Sequence, residues 1–226
     1  MNSIYSFNHT KFFDRIIVTK RNEMVNLINK YFKEEVFYDA LDVGTTDDMD
    51  YESSNYLIKN LKNIKIYKSI SDQKINSSFF LQSINKSIVS NFSKSEINQY
   101  KVDLVISNAT IEHVGNYTNQ LKMISNIIDL TKKNFVITTP NRFHPIDFHT
   151  KIPLIHWLSK KIHRNILSIF GLNYFAKEEN LNLLSLTDLK KLLNDFKLID
   201  YKIFHIRLFG FISNYIIIGK KLNSNK

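Results

Sequence analysis

Four short apolar stretches, each stopped by a turn-forming residue, constrain this chain more than any other feature. They are Val36–Gly44 (VFYDALDVG), Ile64–Ile70 (IKIYKSI, ending at Ser71-Asp72), Val102–Asn108 (VDLVISN) and Phe135–Pro140 (FVITTP). Strands covered on both faces carry such near-continuous apolar runs, which places these four inside a parallel sheet. Helical patterns alternate with them. Lys20–Phe32 puts Met24, Leu27, Ile28 and Tyr31 on one face, with Thr19 as its cap and Glu23 in its first turns. Asn116–Leu130 carries Leu121, Ile124, Ile127 and Ile128 at helical spacing. Strand–helix alternation of this kind implies βαβ units.

The C-terminal part breaks the pattern. SLTDLKKLLNDF opens on Ser185-x-x-Asp188, a capping-box spacing, and reads as a helix. LIDYKIFHIR and NYIIIGKK follow with a short connection around Gly210, which predicts an antiparallel hairpin at one sheet edge. The expected fold is therefore α/β: a mostly parallel sheet ending in an antiparallel hairpin, with helices on both faces. No repeat or linker divides the 226 residues, so a single domain, 1–226, is expected. Asn141–Leu184 fits neither pattern. It is rich in His and aromatics, contains the basic amphipathic stretch Ile152–Phe170, and reads as an insertion on the substrate side of the sheet. Gln73–Gln99 has the least legible pattern.

Composition narrows the function. The absence of Cys excludes disulfides, thiolate metal sites and a cysteine nucleophile, and fits a reducing compartment. The formal net charge is +10, but Lys is scattered among Asn and Ile and no run of five basic residues occurs. A nucleic-acid partner is accordingly not expected. No signal peptide and no apolar run of membrane-spanning length is read, which points to the cytoplasm. The stretch Ile152–Phe170 admits peripheral membrane contact.

Open parallel sheets bind ligands beyond the carboxyl ends of their strands. Four segments occupy that position here. In ALDVGTTDD, a strand and an acid precede a Gly, which lets a ligand approach the backbone closely. Asp72 ends the second strand, where a carboxylate can accept from vicinal hydroxyls or equally stand as a solvated loop acid. In SNATIEHVGN, polar Asn108 marks the strand end and Glu112-His113 follows; His113 can work as a base, while Glu112 can equally cap the next helix with His113 packed beneath it. TTPNRFHPIDFHT sets Arg142, His144, Asp147 and His149 among aromatics, the composition of a substrate pocket. His144, His149 and His156 do not share a helical face, and Pro145 and Pro153 break any helix between them, so no metal is expected from their spacing.

Together, ALDVGTTDD, VDLVISNATIEHVGNYTNQ, ITTPNRFHPIDFHTKIPLIHWL and NLNLLS resemble class I S-adenosylmethionine-dependent methyltransferases. The resemblance runs from about Phe13 to Lys220 and is nearest to the methyltransferase type 11 group of bacterial proteins, some associated with surface-glycan pathways. It implies a Rossmann-like sheet of seven strands with a reversed last strand. It implies S-adenosylmethionine as cofactor, with Asp42 and Gly44 against its methionine end and Thr45 in the same loop. Asp72 matches the ribose-binding acid, Asn108 matches the position nearest the reacting methyl, and Ala109 lies beside it. The loop GTTDD has fewer glycines than the group usually carries, and the acid usual after the third strand has no clear counterpart. The expected activity is methyl transfer to oxygen or nitrogen of a small-molecule or glycan-related acceptor. His149, then His113, are the candidate bases, and Arg142, His144 and Asp147 are the candidate acceptor contacts. The alternatives are a Rossmann-like enzyme using NAD or a nucleotide sugar, against which the missing three-glycine fingerprint counts, and a membrane-surface binding module.

Overall fold

In the computed structural model, which describes residues 11–197 and 199–222, the four apolar stretches stand side by side as parallel strands, largely buried except for the first five residues of the Ile64–Ser71 strand. The chain runs α1 (Lys11–Tyr31), β1 (Phe37–Val43), α2 (Tyr56–Asn60), β2 (Ile64–Ser71), β3 (Gln82–Asn85), α3 (Lys94–Tyr100), β4 (Val102–Asn108), α4 (Tyr117–Leu130) and β5 (Thr131–Pro140). It continues through α5 (Lys160–Ile169), α6 (Leu186–Asn194), β6 (Ile199–Leu208) and β7 (Phe211–Lys221). One seven-stranded sheet results, ordered β3-β2-β1-β4-β5-β7-β6, with β7 antiparallel to both of its neighbours. The amino-terminal residues through Thr10, and Leu198 at the start of the first hairpin stretch, lie outside the described residues.

Side-chain alternation explains why both faces are apolar. Leu41 and Val43 of β1, Val105 of β4, Phe135 and Ile137 of β5 and Ile217 of β7 face α4 and α6. Ala40, Leu104, Ile106, Val136, Ile216 and Ile218 face the opposite way, onto α1 and α2. Fully burying each Leu, Ile or Phe contributes roughly 1.5–3 kcal/mol, so two covered faces supply the principal driving force. The hairpin turns on Phe209 and Gly210, both left-handed at φ 50° and 83°, between the paired residues Leu208 and Phe211. Such a two-residue turn requires positive φ, which Gly supplies at little cost.

Three elements differ from their sequence reading. The first helix starts at Lys11 rather than Lys20, so Thr19 lies inside it and its hydroxyl donates back to the Arg15 carbonyl at 2.7 Å. The β-branched run Ile16-Ile17-Val18-Thr19 has modest helix propensity, which tertiary packing overrides. The stretch Ile152–Phe170 is helical only as α5; a 3₁₀ turn, Ile155–Trp157, precedes it after Pro153. Within Gln73–Gln99 lie β3 and α3, and α3 begins with a full capping box of Ser93 and Glu96.

The segment 141–184 leaves and returns at one place. Asn141 and Leu184 form a parallel bridge, and the Arg142 N–H donates to the Leu184 carbonyl at 3.0 Å. Between these ends the excursion holds a small core of its own, built on Leu167, Phe175, Leu181 and Leu183. No helix among the described residues is long and apolar enough to cross a membrane.

Candidate functional site

The sheet reverses its winding between β1 and β4, and there the loops after these strands touch. Gly44 has φ 82° and its N–H donates to the Ile70 carbonyl at 3.0 Å. A Cβ on Gly44 would stand 2.4 Å from Thr110 Oγ1 and 2.6 Å from its Cγ2. Thr110 is itself fixed by donating to the Val43 carbonyl at 3.2 Å. The absence of a side chain thus lets one loop close on the other and leaves the Gly44 backbone open to solvent.

Beside this contact Asp42 is buried, its Oδ2 accepting from the Thr45 hydroxyl at 2.7 Å. Burial pushes the Asp42 carboxyl up to about 7, a rise the Thr45 hydrogen bond only partly offsets. Asp72 is exposed at the end of β2 and makes no hydrogen bond or ion pair among the described residues. Neighbouring Asp47 is committed: its carboxylate accepts from the Asn76 N–H at 2.6 Å and the Asn76 amide at 3.0 Å. At the end of β4, Asn108 Oδ1 accepts from the Thr138 hydroxyl at 2.7 Å. Ala109 then turns left-handed at φ 52°, with its N–H on the Thr138 carbonyl at 3.0 Å. A non-glycine residue in that region is strained, and such strain collects at functional turns.

A second cluster lies further along the same loop. Glu112, in a 3₁₀ turn, has no exposed surface. Its Oε2 accepts from the Thr139 hydroxyl at 2.9 Å, while its Oε1 is buried without a partner. Burial raises the Glu112 carboxyl, and the positive charge of His149 works in the opposite direction. His113 Nδ1 lies 2.6 Å from the Asn180 carbonyl, so it is Nδ1 that carries the proton and donates, leaving Nε2 free to accept. Burial, and then the His149 charge, lowers His113 to about 4.

His149 closes the cluster from the other loop. Its Nδ1 contacts Asp147 Oδ1 at 2.8 Å, and its ring centroid lies 4.9 Å from that of His113. Burial disfavours a charged His149, but Asp147 and then Glu112 outweigh it and raise the imidazole above its ordinary value. Asp147 is buried too, which works against its charge; His149 and the Thr150 hydroxyl at 2.8 Å nonetheless hold it well below the usual carboxylate range.

The return limb of the excursion is stitched to this turn. The Asn182 N–H donates to the Glu112 carbonyl at 2.7 Å, its side-chain amide donates to the Gly115 carbonyl at 2.7 Å, and buried Gln120 donates to the Asn182 carbonyl at 3.1 Å. From the opposite side, α1 reaches the outgoing limb through an edge contact of Phe13 with Phe148, centroids 6.2 Å apart.

The structure therefore groups Asp42, Gly44, Thr45, Asn108 and Ala109 around the β1–β4 contact, with Asp72 on the adjoining strand end. It groups His113, Asp147 and His149 around Glu112. Arg142 and His144 bind the excursion's own backbone: the Arg142 guanidinium donates to the His156 and Leu158 carbonyls at 3.2 and 2.8 Å, and His144 Nδ1 lies 2.8 Å from the Ile146 carbonyl. Glu112 does not cap the next helix: Asn116 caps α4, and Glu112 turns inward. Arg21 of α1 also carried no local signal; it donates to the Ser53 carbonyl, and the charge of Glu112 acts on its buried guanidinium.

No protein-family model matches the chain, and no curated protein matches it either. Solved structures do. The plantazolicin methyltransferase BpumL in complex with S-adenosylhomocysteine aligns with a TM-score of 0.58 at 15% identity, over 93% of this chain and 87% of that one. The N-methyltransferase NodS from Bradyrhizobium japonicum WM9, in complex with S-adenosylhomocysteine, aligns at 0.55 and 8% identity, over 99% and 94%. The magnesium protoporphyrin IX methyltransferase ChlM from Synechocystis PCC 6803, with bound S-adenosylhomocysteine, aligns at 0.54 and 13% identity, over 96% and 90%. At these identities the likeness establishes the fold: the sheet with its C-terminal antiparallel hairpin is the Rossmann-like methyltransferase fold.

Proposed function

We propose that this chain is an S-adenosylmethionine-dependent methyltransferase acting on an oxygen or nitrogen of a small-molecule acceptor, glycan-related compounds included. The observation that carries the reading is the β1–β4 contact. It leaves an open Gly44 backbone, a buried acid at Asp42 and an uncommitted acid at Asp72 along consecutive strand ends. That arrangement suits a nucleoside carrying an amino-acid tail. Asp72 accepts from the ribose hydroxyls, the Gly44–Thr45 loop lies along the methionine part, and Asp42 meets its cationic end. Asn108 and Ala109 lie nearest the sulfonium methyl. The methyltransferase neighbours, crystallised with S-adenosylhomocysteine, support the same cofactor.

The reaction is an in-line displacement. The acceptor's lone pair forms the new bond to the methyl carbon, and the sulfonium C–S bond breaks with its electron pair remaining on sulfur. The leaving group is already activated, so the chain mainly supplies orientation, worth roughly 7–11 kcal/mol in well-aligned systems. The excursion 141–184 forms the acceptor side. His149, oriented by Asp147 as a positioning residue, presents Nε2 as a base for a hydroxyl acceptor, an aid of about 10²–10⁴-fold; His113 is the second candidate. Arg142 and His144 fix the shape of that wall through their backbone contacts.

Thermal unfolding with S-adenosylhomocysteine, NAD and a UDP-sugar tests the assignment. Stabilisation by S-adenosylhomocysteine alone supports it, and stabilisation by one of the others instead selects a different nucleotide enzyme. A second reading, peripheral membrane contact, draws on exposed Leu154, Trp157, Ile162, Ile169 and Phe170 beside Lys160, Lys161 and Arg164. Co-sedimentation with anionic vesicles tests it.

A further inference from the structure

We propose that Glu112, His113 and His149 form a binding site for a divalent first-row transition cation. One ligand atom from each residue lies within 4.8 Å of the other two, and among the described residues no other set of His and carboxylate groups converges in this way. His144 and His156 are not part of it.

Three observations make this more than proximity. The first is Glu112 Oε1, a carboxylate oxygen buried without a hydrogen-bond partner and 4.0 Å from His113 Nε2. Leaving such an oxygen unpaired is costly, and an arriving cation removes the cost. The second is orientation. Both imidazoles have Nδ1 occupied, His113 by the Asn180 carbonyl at 2.6 Å and His149 by Asp147 Oδ1 at 2.8 Å. Only the Nε2 atoms remain to ligate. A metal-bound His characteristically engages its other ring nitrogen with a backbone carbonyl or carboxylate in this way, and Thr139 does the same for Glu112 by holding Oε2 at 2.9 Å. The third is charge. With neutral imidazoles, the two buried carboxylates of Glu112 and Asp147 face one nearby guanidinium, that of Arg21, which leaves a net negative setting for a cation.

Ligand chemistry selects the ion. Two imidazole nitrogens and one carboxylate oxygen suit Zn²⁺, Co²⁺, Mn²⁺ or Fe²⁺, whereas Mg²⁺ and Ca²⁺ demand oxygen donors. Bonds of about 2.0–2.2 Å bring ligand atoms closer together than the 4.0 Å seen here, so the side chains rotate inward on binding. Three protein ligands leave a position open, as in catalytic rather than structural sites. The site itself stands without the methyl-transfer reading; what the open position does rests on it. With a cation bound, His149 Nε2 is a ligand and not the base; the cation instead polarises a hydroxyl acceptor at the open position and eases loss of its proton to solvent before the displacement at the methyl carbon.

The test is calorimetric titration of tag-free, chelator-stripped full chain with Zn²⁺, Co²⁺, Mn²⁺, Mg²⁺ and Ca²⁺, with Co²⁺ absorption spectra recorded in parallel. One equivalent of Zn²⁺ or Co²⁺ should bind, with no comparable binding of Mg²⁺ or Ca²⁺. Asp147→Asn should weaken affinity about 10–100-fold, the usual effect of losing an outer partner. Glu112→Gln and His149→Ala should weaken it more and alter the Co²⁺ ligand-field bands. No stoichiometric binding to the unsubstituted chain overturns the proposal, as does undiminished binding to folded Glu112→Gln or His149→Ala. S-adenosylhomocysteine binding, measured on the same samples, keeps the two readings separate. A chain that binds the nucleoside and no cation loses only the metal site, and a chain that binds the cation and no nucleoside loses only the methyltransferase assignment.

Discussion

Gly44→Ala is the most searching single change for the proposed cofactor site, because its cost can be worked from two separate features. The first is backbone. At φ 82° an Ala pays roughly 1–2 kcal/mol for a left-handed conformation that Gly adopts freely. The second is space. The new methyl would meet Thr110 Oγ1 at 2.4 Å and Cγ2 at 2.6 Å, and Thr110 is anchored to the Val43 carbonyl, so it cannot simply rotate away. Overpacking of this kind costs about 1–3 kcal/mol. The expected destabilisation is therefore about 2–5 kcal/mol, with S-adenosylhomocysteine affinity falling because the two loops are pushed apart. Thr110→Ala removes Oγ1 and Cγ2 but keeps Cβ, 3.0 Å from the new methyl, and loses the hydroxyl's shared hydrogen bond to the Val43 and Asn108 carbonyls, about 0.5–1.5 kcal/mol. In a double-mutant cycle, urea unfolding should thus show the pair less destabilised than the sum of its parts, with the larger share of the spatial term recovered and the backbone term left. Strict additivity would refute the steric reasoning, and wild-type stability and affinity in Gly44→Ala would refute both features.

Asp72→Ala should keep the fold and weaken S-adenosylhomocysteine binding by about 1–3 kcal/mol in calorimetry; unchanged affinity would move the ribose contact elsewhere. Asp42, with a folded pKa of about 7 against an ordinary 3.8, holds a proton that the unfolded chain has already released. Stability should accordingly fall as pH rises between about 4 and 7, by up to the order of 4 kcal/mol, and Asp42→Asn should remove that part of the slope in urea unfolding. If Asp42 pairs with the cationic end of the cofactor, S-adenosylhomocysteine affinity should rise through the upper part of the same window. With an acceptor that supports turnover, His149→Ala should lower kcat about 10²–10⁴-fold at nearly constant S-adenosylhomocysteine affinity; an equal loss in both would make His149 part of the cofactor pocket instead.

Much of the fold was legible because its strands are buried on both faces. VDLVISN and FVITTP have no polar face to confuse with a helix, and Asn108 and Pro140 mark their ends. The Ser185-x-x-Asp188 spacing located α6 for the same local reason: the capping box is a short-range device, and both of its bonds are present. β3 was not legible, since QSIN is short and largely polar and is a strand only because β2 supplies partners. The box of Ser93 and Glu96 was in the sequence, but the short, polar helix it opens buries no residue and so carries no apolar periodicity. In the candidate site the strand-end residues could be read from position alone. The place of Glu112 could not, since whether an acid caps a helix or turns inward depends on what packs over it. Here that cover is the return limb at Asn180–Asn182, remote in sequence.

The two clusters meet at the carboxyl end of β5, an interior strand, which explains how one end of the sheet serves both. Thr138 and Thr139 are consecutive, so their side chains leave the strand in opposite directions. The Thr138 hydroxyl fixes Asn108, in the proposed cofactor half, and the Thr139 hydroxyl fixes Glu112, in the proposed acceptor half. Asn108 ends β4, where it pairs with Thr138 of β5, and Glu112 lies in the loop that follows directly. A slip of one residue in that register would exchange the two hydroxyls and leave Asn108 and Glu112 each facing the wrong side. The relative placement of the two proposed halves is thus set by the hydrogen-bonded core of the sheet, while the excursion 141–184 supplies His149 from a segment with a small core of its own. Variation in that excursion can change what meets Glu112 and His113 without disturbing the strand ends that hold them.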